Sequence, residues 1–482
     1  MSARSLEIVQ QVRDEFEELL SFVLEASQKT VPDADCMERS LFLRLFALGC
    51  QLLRLYFTKQ NQLIAPETVV GKDQQPVPWH SDKERSYLSI FGLVRFARRY
   101  YYCKGEGYYP LDAALNLPES GASDMLREWR EKLCAHIPYP TTVQILQDLL
   151  KHPVSTRQLQ QDIQEDGKHV ADFYAQADPL KPEPDASVLV IQADGKGVPM
   201  CQETEAAQKV RKSKGEKTSR KKEAIVTAVY TLAPNVRTPQ EVIASLFEGE
   251  KTSATRSELV NKRLFATLEG KTAALAFTAT QVDEQQGAHI RHHVALTDGA
   301  QALQERVLAQ FPDFTLVLDC IHAIEYLWKA ANALLGEKAT ERTDWVKLRA
   351  SWMLSGQTEL LIRDLKSLAT TTDEATNKTL LSVAAYYERN RAYMHYDYYL
   401  AVGWPIGTGV IEGACRHLVK DRCEQSGMRW TQVGAEALLQ LRCVAENGDW
   451  EDFHTYRRAQ RKETLYGKTL QSEPQIEMRM AA

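Results

Sequence analysis

The chain has 482 residues, 44% hydrophobic and 26% charged, the balance of a soluble globular protein, and its length suggests three or four domains. A formal net charge of −5 excludes a uniformly basic nucleic-acid-binding surface, so any such contact must come from local patches. The nine cysteines form no CxxC pair, no apolar run approaches the ~18 residues of a membrane span, and the opening MSARSLEIVQQVRDEF lacks the apolar core of a secretion signal. Together these predict a cytoplasmic protein with reduced thiols, no structural zinc and no membrane segment.

Residues 1–75 read as a helical region, with Leu41, Phe42, Leu45, Leu48, Leu52 and Leu55 at helical spacing, until Pro66 and the polar GKDQQPVP break the pattern. Residues 76–118 read as a small β-containing segment: ERSYLSIFGLVRFARRYYYC has strand character and KGEGYYPLDAALNLP follows it. Residues 119–180 are helical again. There HPVSTRQLQQDIQEDG predicts a short helix capped by Ser155 and stopped by Gly167, a candidate recognition helix of a helix-turn-helix.

After the Pro-rich KPEPD the hydrophobic period changes. SVLVIQAD predicts a buried strand ending at Asp194, and EAIVTAVYTL a second strand beyond the basic KVRKSKGEKTSRKK. HHVALTD is a strand, 301–310 a helix, FTLVLD a strand, and a further helix runs from His322. Alternating strands and helices over 181–334 predict an α/β sheet. Residues 335–402 carry no strand signal and read as an all-helical insertion, 403–455 as the second part of the same unit, and 456–482 as a tail.

Three acidic residues occupy special places. Asp194 and Asp298 each end a strand before a glycine, and Glu412 opens a helix after the glycines of GTGVIEG. At ~100° per residue Glu412, Arg416 and Lys420 share one side of that helix, Ile411, Ala414, Cys415 and Leu418 form an adjoining apolar side, and Gly427 ends it. Taken singly, Glu412 is also what a helix dipole favours, Asp298 suits a helix cap, and Asp194–Gly195 suits a turn. Their combination in one α/β unit favours a shared chemical role.

QADGKGV, then TDGAQALQERVLAQFPDFTLVLDCIHAIEYLW, then GVIEGACRHLVKDRCEQSGMRW occur in this order, and over about residues 100–455 the chain resembles the DDE transposases of bacterial insertion sequences, in particular the ISKra-like group, which are similar to mutator-like transposases. The resemblance implies a multidomain α/β protein: a ribonuclease-H-like mixed sheet core with an all-α insertion, preceded by mainly helical DNA-binding regions. It also implies two divalent ions, Mg²⁺ or Mn²⁺, and cleavage and transfer of DNA strands. In such a sheet the first strand lies beside the fourth, and the fifth lies beyond. Asp298 is then one strand from Asp194 and Asp319 two, at ~4.8 Å per strand. Asp194, Asp298 and Glu412 are therefore the expected catalytic residues and metal ligands. Asp319 and His322 match the family's C/D-x-x-H element and are expected to support the site.

Expected DNA contacts are Arg211, Lys212, Lys214, Lys217, Arg220, Lys221 and Lys222 before the second strand, and Arg416, Lys420, Arg422 and Arg429 around the Glu412 helix. Partners implied are the terminal inverted repeats, target DNA and a second copy of the chain. The six tyrosines of AAYYERNRAYMHYDYYLAVGW suit core packing better than base stacking, and Cys415 and Cys423 read as core residues. The alternatives are a non-catalytic DNA-binding protein derived from a transposase, and a ribonuclease-H-like nuclease that cuts without joining.

Overall fold

The computed structural model describes residues 3–29, 33–66, 68–70, 75–151, 153–201, 221–249, 257–425 and 427–467. Arg211, Lys212, Lys214, Lys217 and Arg220 lie outside the described residues. The chain divides into two compact units, Met1–His169 with Asp449–Ala482, and Val170–Gly448. The segment after Asp449 thus belongs with the N-terminal helices.

The first unit opens with α1 (Ala3–Lys29) and α2 (Ala34–Leu63). Asp33 caps α2 by accepting Cys36 N at 2.8 Å. Four antiparallel strands follow in the order β1 (Thr68–Val70), β2 (Pro76–Ser89), β3 (Gly92–Cys103), β4 (Glu106–Tyr108). Phe57 of α2 packs with Val94, Phe96, Leu111 and Leu117 over this sheet. By length and composition α2 would suffice to cross a membrane, unlike the expectation drawn from uninterrupted apolar runs. Over Ser40–Phe57 of this helix the charged residues are Arg44 and Arg54, which interrupt the apolar run; the Arg44 guanidinium lies 4.4 Å over the ring of Phe22 on α1. The unit is completed by α3 (Pro110–Ala114), α4 (Asp124–His136), α5 (Tyr139–Leu150), α6 (Thr156–Gly167) and, from the far end of the chain, α19 (Trp450–Arg461). Ser155 caps α6 through Gln158 N at 3.1 Å, and the helix ends at Gly167, both as expected.

The second unit is built on a five-stranded mixed sheet. After α7 (Val170–Ala175) come β5 (Val188–Pro199), β6 (Lys221–Leu232), α8 (Pro239–Ile243), β7 (Val260–Thr267), α9 (Lys271–Gln285), β8 (His292–Thr297), α10 (Gln301–Gln310) and β9 (Thr315–Leu318). The sheet order is β7-β6-β5-β8-β9; β5, β6 and β7 pair antiparallel, while β5–β8 and β8–β9 pair parallel. The first strand therefore lies beside the fourth and the fifth beyond it. Strand side chains alternate between faces. Leu189, Ile191 and Ala193 face a core shared with Leu275 of α9 and Leu303 and Val307 of α10. Gln192 and Asp194 face the other way.

One boundary differs from the sequence reading: β5 does not end at Asp194 but runs on to Pro199. The reason is its partner. β6 pairs with β5 from Val188 to Pro199, whereas β8 pairs only as far as Gln192↔Leu296. Asp194 thus sits just where one flank of β5 loses its neighbour. Beyond β9 the described residues are helical: α11 (Cys320–Leu335), α12 (Arg342–Leu354), α13 (Thr358–Ala369), α14 (Glu374–Asn390), α15 (Tyr396–Ala401), α16 (Gly409–Ala414), a π-helical segment Cys415–Lys420, α17 (Asp421–Cys423) and α18 (Gln432–Glu446). The helix from Gly409 stops at Cys423, short of Gly427, which takes a left-handed φ of 77° in the following turn.

Candidate acidic site at the end of the parallel strands

Asp194 on β5 is half-buried. Its Oδ1 accepts the backbone N–H of Gly195 at 2.6 Å, and its Oδ2 accepts the Cys415 thiol at 3.5 Å. Burial pushes its pKa up, the Gly195 N–H opposes this, and the charge of Asp298 raises it further. Asp298, one residue past β8, is also half-buried; its Oδ1 accepts Ala300 N at 2.9 Å. The turn that carries it is fixed from the helical insertion. The Tyr386 hydroxyl on α14 donates to Asp298 O at 3.4 Å, and Arg389 Nη2 donates to Gly299 O at 3.1 Å.

Asp319 follows β9 and is held differently. It is fully buried, caps α11 by accepting Ile321 N at 3.0 Å on Oδ1, and accepts the Thr408 hydroxyl at 2.6 Å on Oδ2. Burial raises its pKa against the lowering effect of the Thr408 hydrogen bond. The Thr408 oxygen also lies 3.2 Å from Oε1 of Glu412, so its one proton serves either carboxylate, the nearer being Asp319. His322, one turn into α11, is half-buried with Nδ1 3.6 Å from Glu325. Its proximity only slightly offsets the upward push that burial gives Asp194 and Asp319.

Glu412 is exposed in the first turn of α16. The start of that helix is tied to β5 by Gln192, which is 1% exposed. Gln192 Oε1 accepts Ile411 N at 2.9 Å, and its Nε2 donates to Gly407 O at 3.3 Å and to the Tyr230 hydroxyl at 2.9 Å. An N-terminal helical N–H with no partner inside its helix is thereby satisfied from the strand that bears Asp194. Sequence reasoning passed over Gln192; the available signal was a lone amide in an otherwise apolar strand. Thr408 and Cys415 were also missed as neighbours of the carboxylates, and only proximity in space identifies them.

The helix then loosens into the π-helical segment, next to the acidic residues. Arg442 of α18 donates Nε to Leu418 O at 2.8 Å and also donates to His417 O, supplying carbonyls of that segment. Ile411, Ala414, Cys415 and Leu418 are buried as expected, while Arg416 and Lys420 stay exposed beside Glu412. Arg416 lies 3.7 Å from Asp421. Arg429 is exposed, and Lys221 is exposed and paired with Glu424. Lys222 is half-buried on β6. Arg422 requires a correction: it is fully buried, its guanidinium 5.0 Å over the Trp430 ring, and does not reach the surface as a phosphate contact must. At ~100° per residue Arg422 falls on the same side as Ile411, Cys415 and Leu418, the buried side of this helix.

Asp194, Asp298, Asp319 and Glu412 form no ion pair with any described lysine or arginine. An all-oxygen donor set of uncompensated carboxylates suits hard divalent cations. The three proposed ligands do not place their ligand atoms mutually within 4.8 Å; among the described residues only Glu131, Asp166 and His454, in the other unit, do so.

No family model matches the chain, and no curated protein matches it. Among solved structures, the Drosophila P element transposase strand transfer complex is similar with a TM-score of 0.22 and 10% sequence identity, covering 73% of this chain and 84% of that chain. Similarity of that size carries no argument about fold or activity.

Proposed function

We propose that the chain is a DDE transposase of a bacterial insertion sequence, ISKra-like, acting in the cytoplasm on its own terminal repeats and on target DNA. Its mixed sheet is then a ribonuclease-H-like core, with α12–α15 as the all-α insertion and the helices and small sheet of the first unit as DNA-binding regions. One observation carries this reading. Asp194 and Asp298 stand on neighbouring parallel strands, close enough for one charge to perturb the other, and Gln192 of the same strand fixes the helix that bears Glu412.

In this reading Asp194, Asp298 and Glu412 hold two Mg²⁺ or Mn²⁺ ions, which supply activation of the attacking oxygen and stabilisation of the leaving one. The protein itself positions and neutralises. Tyr386 and Arg389 hold the Asp298 turn. Thr408 donates to Asp319 and lies within hydrogen-bond distance of Glu412. Arg416, Lys420 and Arg429, with the basic segment ending at Lys221 and Lys222, meet the phosphate backbone. Asp319 and His322 support the site without binding the ions. A homodimer or larger assembly brings two DNA ends together.

The test uses labelled terminal repeats with Mg²⁺. Cleavage and joining are expected. Cleavage without joining identifies a nuclease, and binding alone identifies a non-catalytic DNA-binding protein.

A further inference from the structure

Among the described residues, the helical hairpin of the first unit leaves one face uncovered. Two contacts set α1 antiparallel to α2: the Arg44 guanidinium lies 4.4 Å over the Phe22 ring, and Arg54 Nη1 donates to Gln11 Oε1 at 3.4 Å. Ile8 and Leu19, on the same side of α1 as Phe22, are buried. A second side of α2 rests on the small sheet. There the Phe57 ring stacks on Phe96 with centroids 4.3 Å apart, and Asn61 Oδ1 accepts Arg99 N at 3.0 Å.

The remaining side is apolar and open. On α1, Leu6, Val9, Phe16, Leu20 and Val23 recur in alternating steps of three and four, with Arg13 holding the one polar place. On α2, Leu41, Leu45, Leu48, Leu52 and Leu55 step by four, three, four and three. Those are the a and d places of a heptad, by which a helix buries a seam against other helices. At ~100° per residue, each seam lies about a third of a turn onward from the side that meets the other helix. In antiparallel helices equal onward rotations lead to one face, so both seams lie together, on the side of α2 turned from the sheet. Phe16 is 46%, Leu20 42%, Leu45 52% and Leu52 48% exposed there.

Area and charge say what covers this face. Leu6 to Val23 spans ~26 Å along the helix and two helices side by side are ~20 Å wide, a footprint of roughly 500 Å². That is at the upper end of the apolar patches that monomers expose. Packed on its own copy it removes about 1,000 Å² in all, the threshold of a specific interface. Over residues 6–25, α1 carries six carboxylates and one cation, Arg13, whereas α2 carries four cations and two carboxylates. When two such faces meet about a two-fold axis along the helices, each α1 lies across from the partner's α2, so an acidic helix meets a basic one. The acidic helix on the same face opposes an anionic bilayer or DNA as the occupant.

We propose that the open face of the α1–α2 hairpin docks the same face of a second copy of this chain, closing a four-helix bundle. The dimer forms without DNA, because the surface that builds it is apolar and complete in each protomer. It stands on the two seams and is independent of the proposed transposase chemistry.

The experiment is sedimentation equilibrium of the full chain over a concentration series, with no DNA present. A dimer is expected. Leu20→Glu together with Leu52→Glu is expected to weaken dimerisation by more than ~100-fold while far-ultraviolet circular dichroism keeps its helical signal. Should that pair prevent folding, Leu20→Gln with Leu52→Gln, which keeps good helix formers, carries the same expectation. A chain that stays monomeric at every concentration overturns the proposal. A dimer that survives both pairs of substitutions overturns it as well, since another surface then holds the copies together. Co-sedimentation of the unsubstituted chain with phosphatidylserine-containing vesicles, lost in the substituted chain, would assign the face to a membrane instead and also overturn it.

Discussion

Asp319 gives both carboxylate oxygens to protein donors, Ile321 N and the Thr408 hydroxyl, whereas Asp298 gives one oxygen to Ala300 N and keeps the other free of protein donors. Asp298 is also half-buried where Asp319 is fully buried, and these two differences separate the two roles. Asp298→Ala is expected to lower cleavage of labelled ends by more than ~100-fold, the scale of losing a principal charge-stabilising group. Asp319→Asn is expected to keep activity within about tenfold but to cost roughly 1–2 kcal/mol of stability in chemical denaturation, because an amide nitrogen must now face one of two donors. Near-normal cleavage by Asp298→Ala would exchange the two assignments. Asp194 carries the opposite trade. Burial and Asp298 raise its pKa above the ordinary 3.8, so its charged form destabilises the fold. Between 3.8 and the raised value the unfolded state binds fewer protons than the native state, and stability therefore falls as pH rises through that window. Asp194→Asn is expected to abolish cleavage yet to raise the thermal midpoint of the metal-free protein by roughly 2–4 °C at neutral pH. That gain should shrink as pH falls toward 4, which differential scanning measurements across pH would follow.

At the level of elements, the turn after β8 is the tightest constraint on the site. Gly299 has φ 90°, and a Cβ there would meet the Tyr386 hydroxyl at 2.8 Å and Leu318 Cδ1 at 2.9 Å. Gly299→Ala is expected to cost about 1–3 kcal/mol and to displace the Asp298 turn, lowering cleavage more than DNA binding. Adding Tyr386→Phe removes one clash but neither the φ strain nor the Leu318 contact, so recovery should be partial. The sequence made much of this unit legible. HHVALT and TLVL are short apolar runs, and both appear as strands; the helix expected over 301–310 appears at Gln301–Gln310. The end of β5 was not legible, because Asp194–Gly195 looks like a turn and only the long pairing with β6 carries the strand onward. The π segment was not legible either. The charge of Arg422 suggests a surface residue, yet at ~100° per residue it falls on the side of Ile411, Cys415 and Leu418, and there it is buried. The packing reading of the tyrosines is met at Tyr386, Tyr387, Tyr396 and Tyr399, which are buried, while Tyr398 is 52% exposed.

For the whole molecule, a net charge of −5 means that DNA affinity must be concentrated in few residues. Long-range repulsion between an acidic protein and phosphate is screened beyond ~10 Å at 0.1 M salt, so local contacts set the binding. Each phosphate neutralised contributes about −0.9 to the slope of log K against log salt. Arg416, Lys420 and Arg429 are exposed and Arg422 is buried, which divides the four expected contacts into two classes. Replacing Arg416, Lys420 and Arg429 together by Gln is expected to reduce the magnitude of the slope by about 3 and to weaken binding to all sequences alike. Arg422→Gln should leave the slope unchanged and instead lower stability, since it removes the guanidinium packed over Trp430 from a fully buried position. Fluorescence anisotropy on one terminal-repeat duplex and one unrelated duplex, over a salt series, measures all of these slopes. A slope that falls by about 1 in Arg422→Gln would show that this side chain reaches phosphate in the complex.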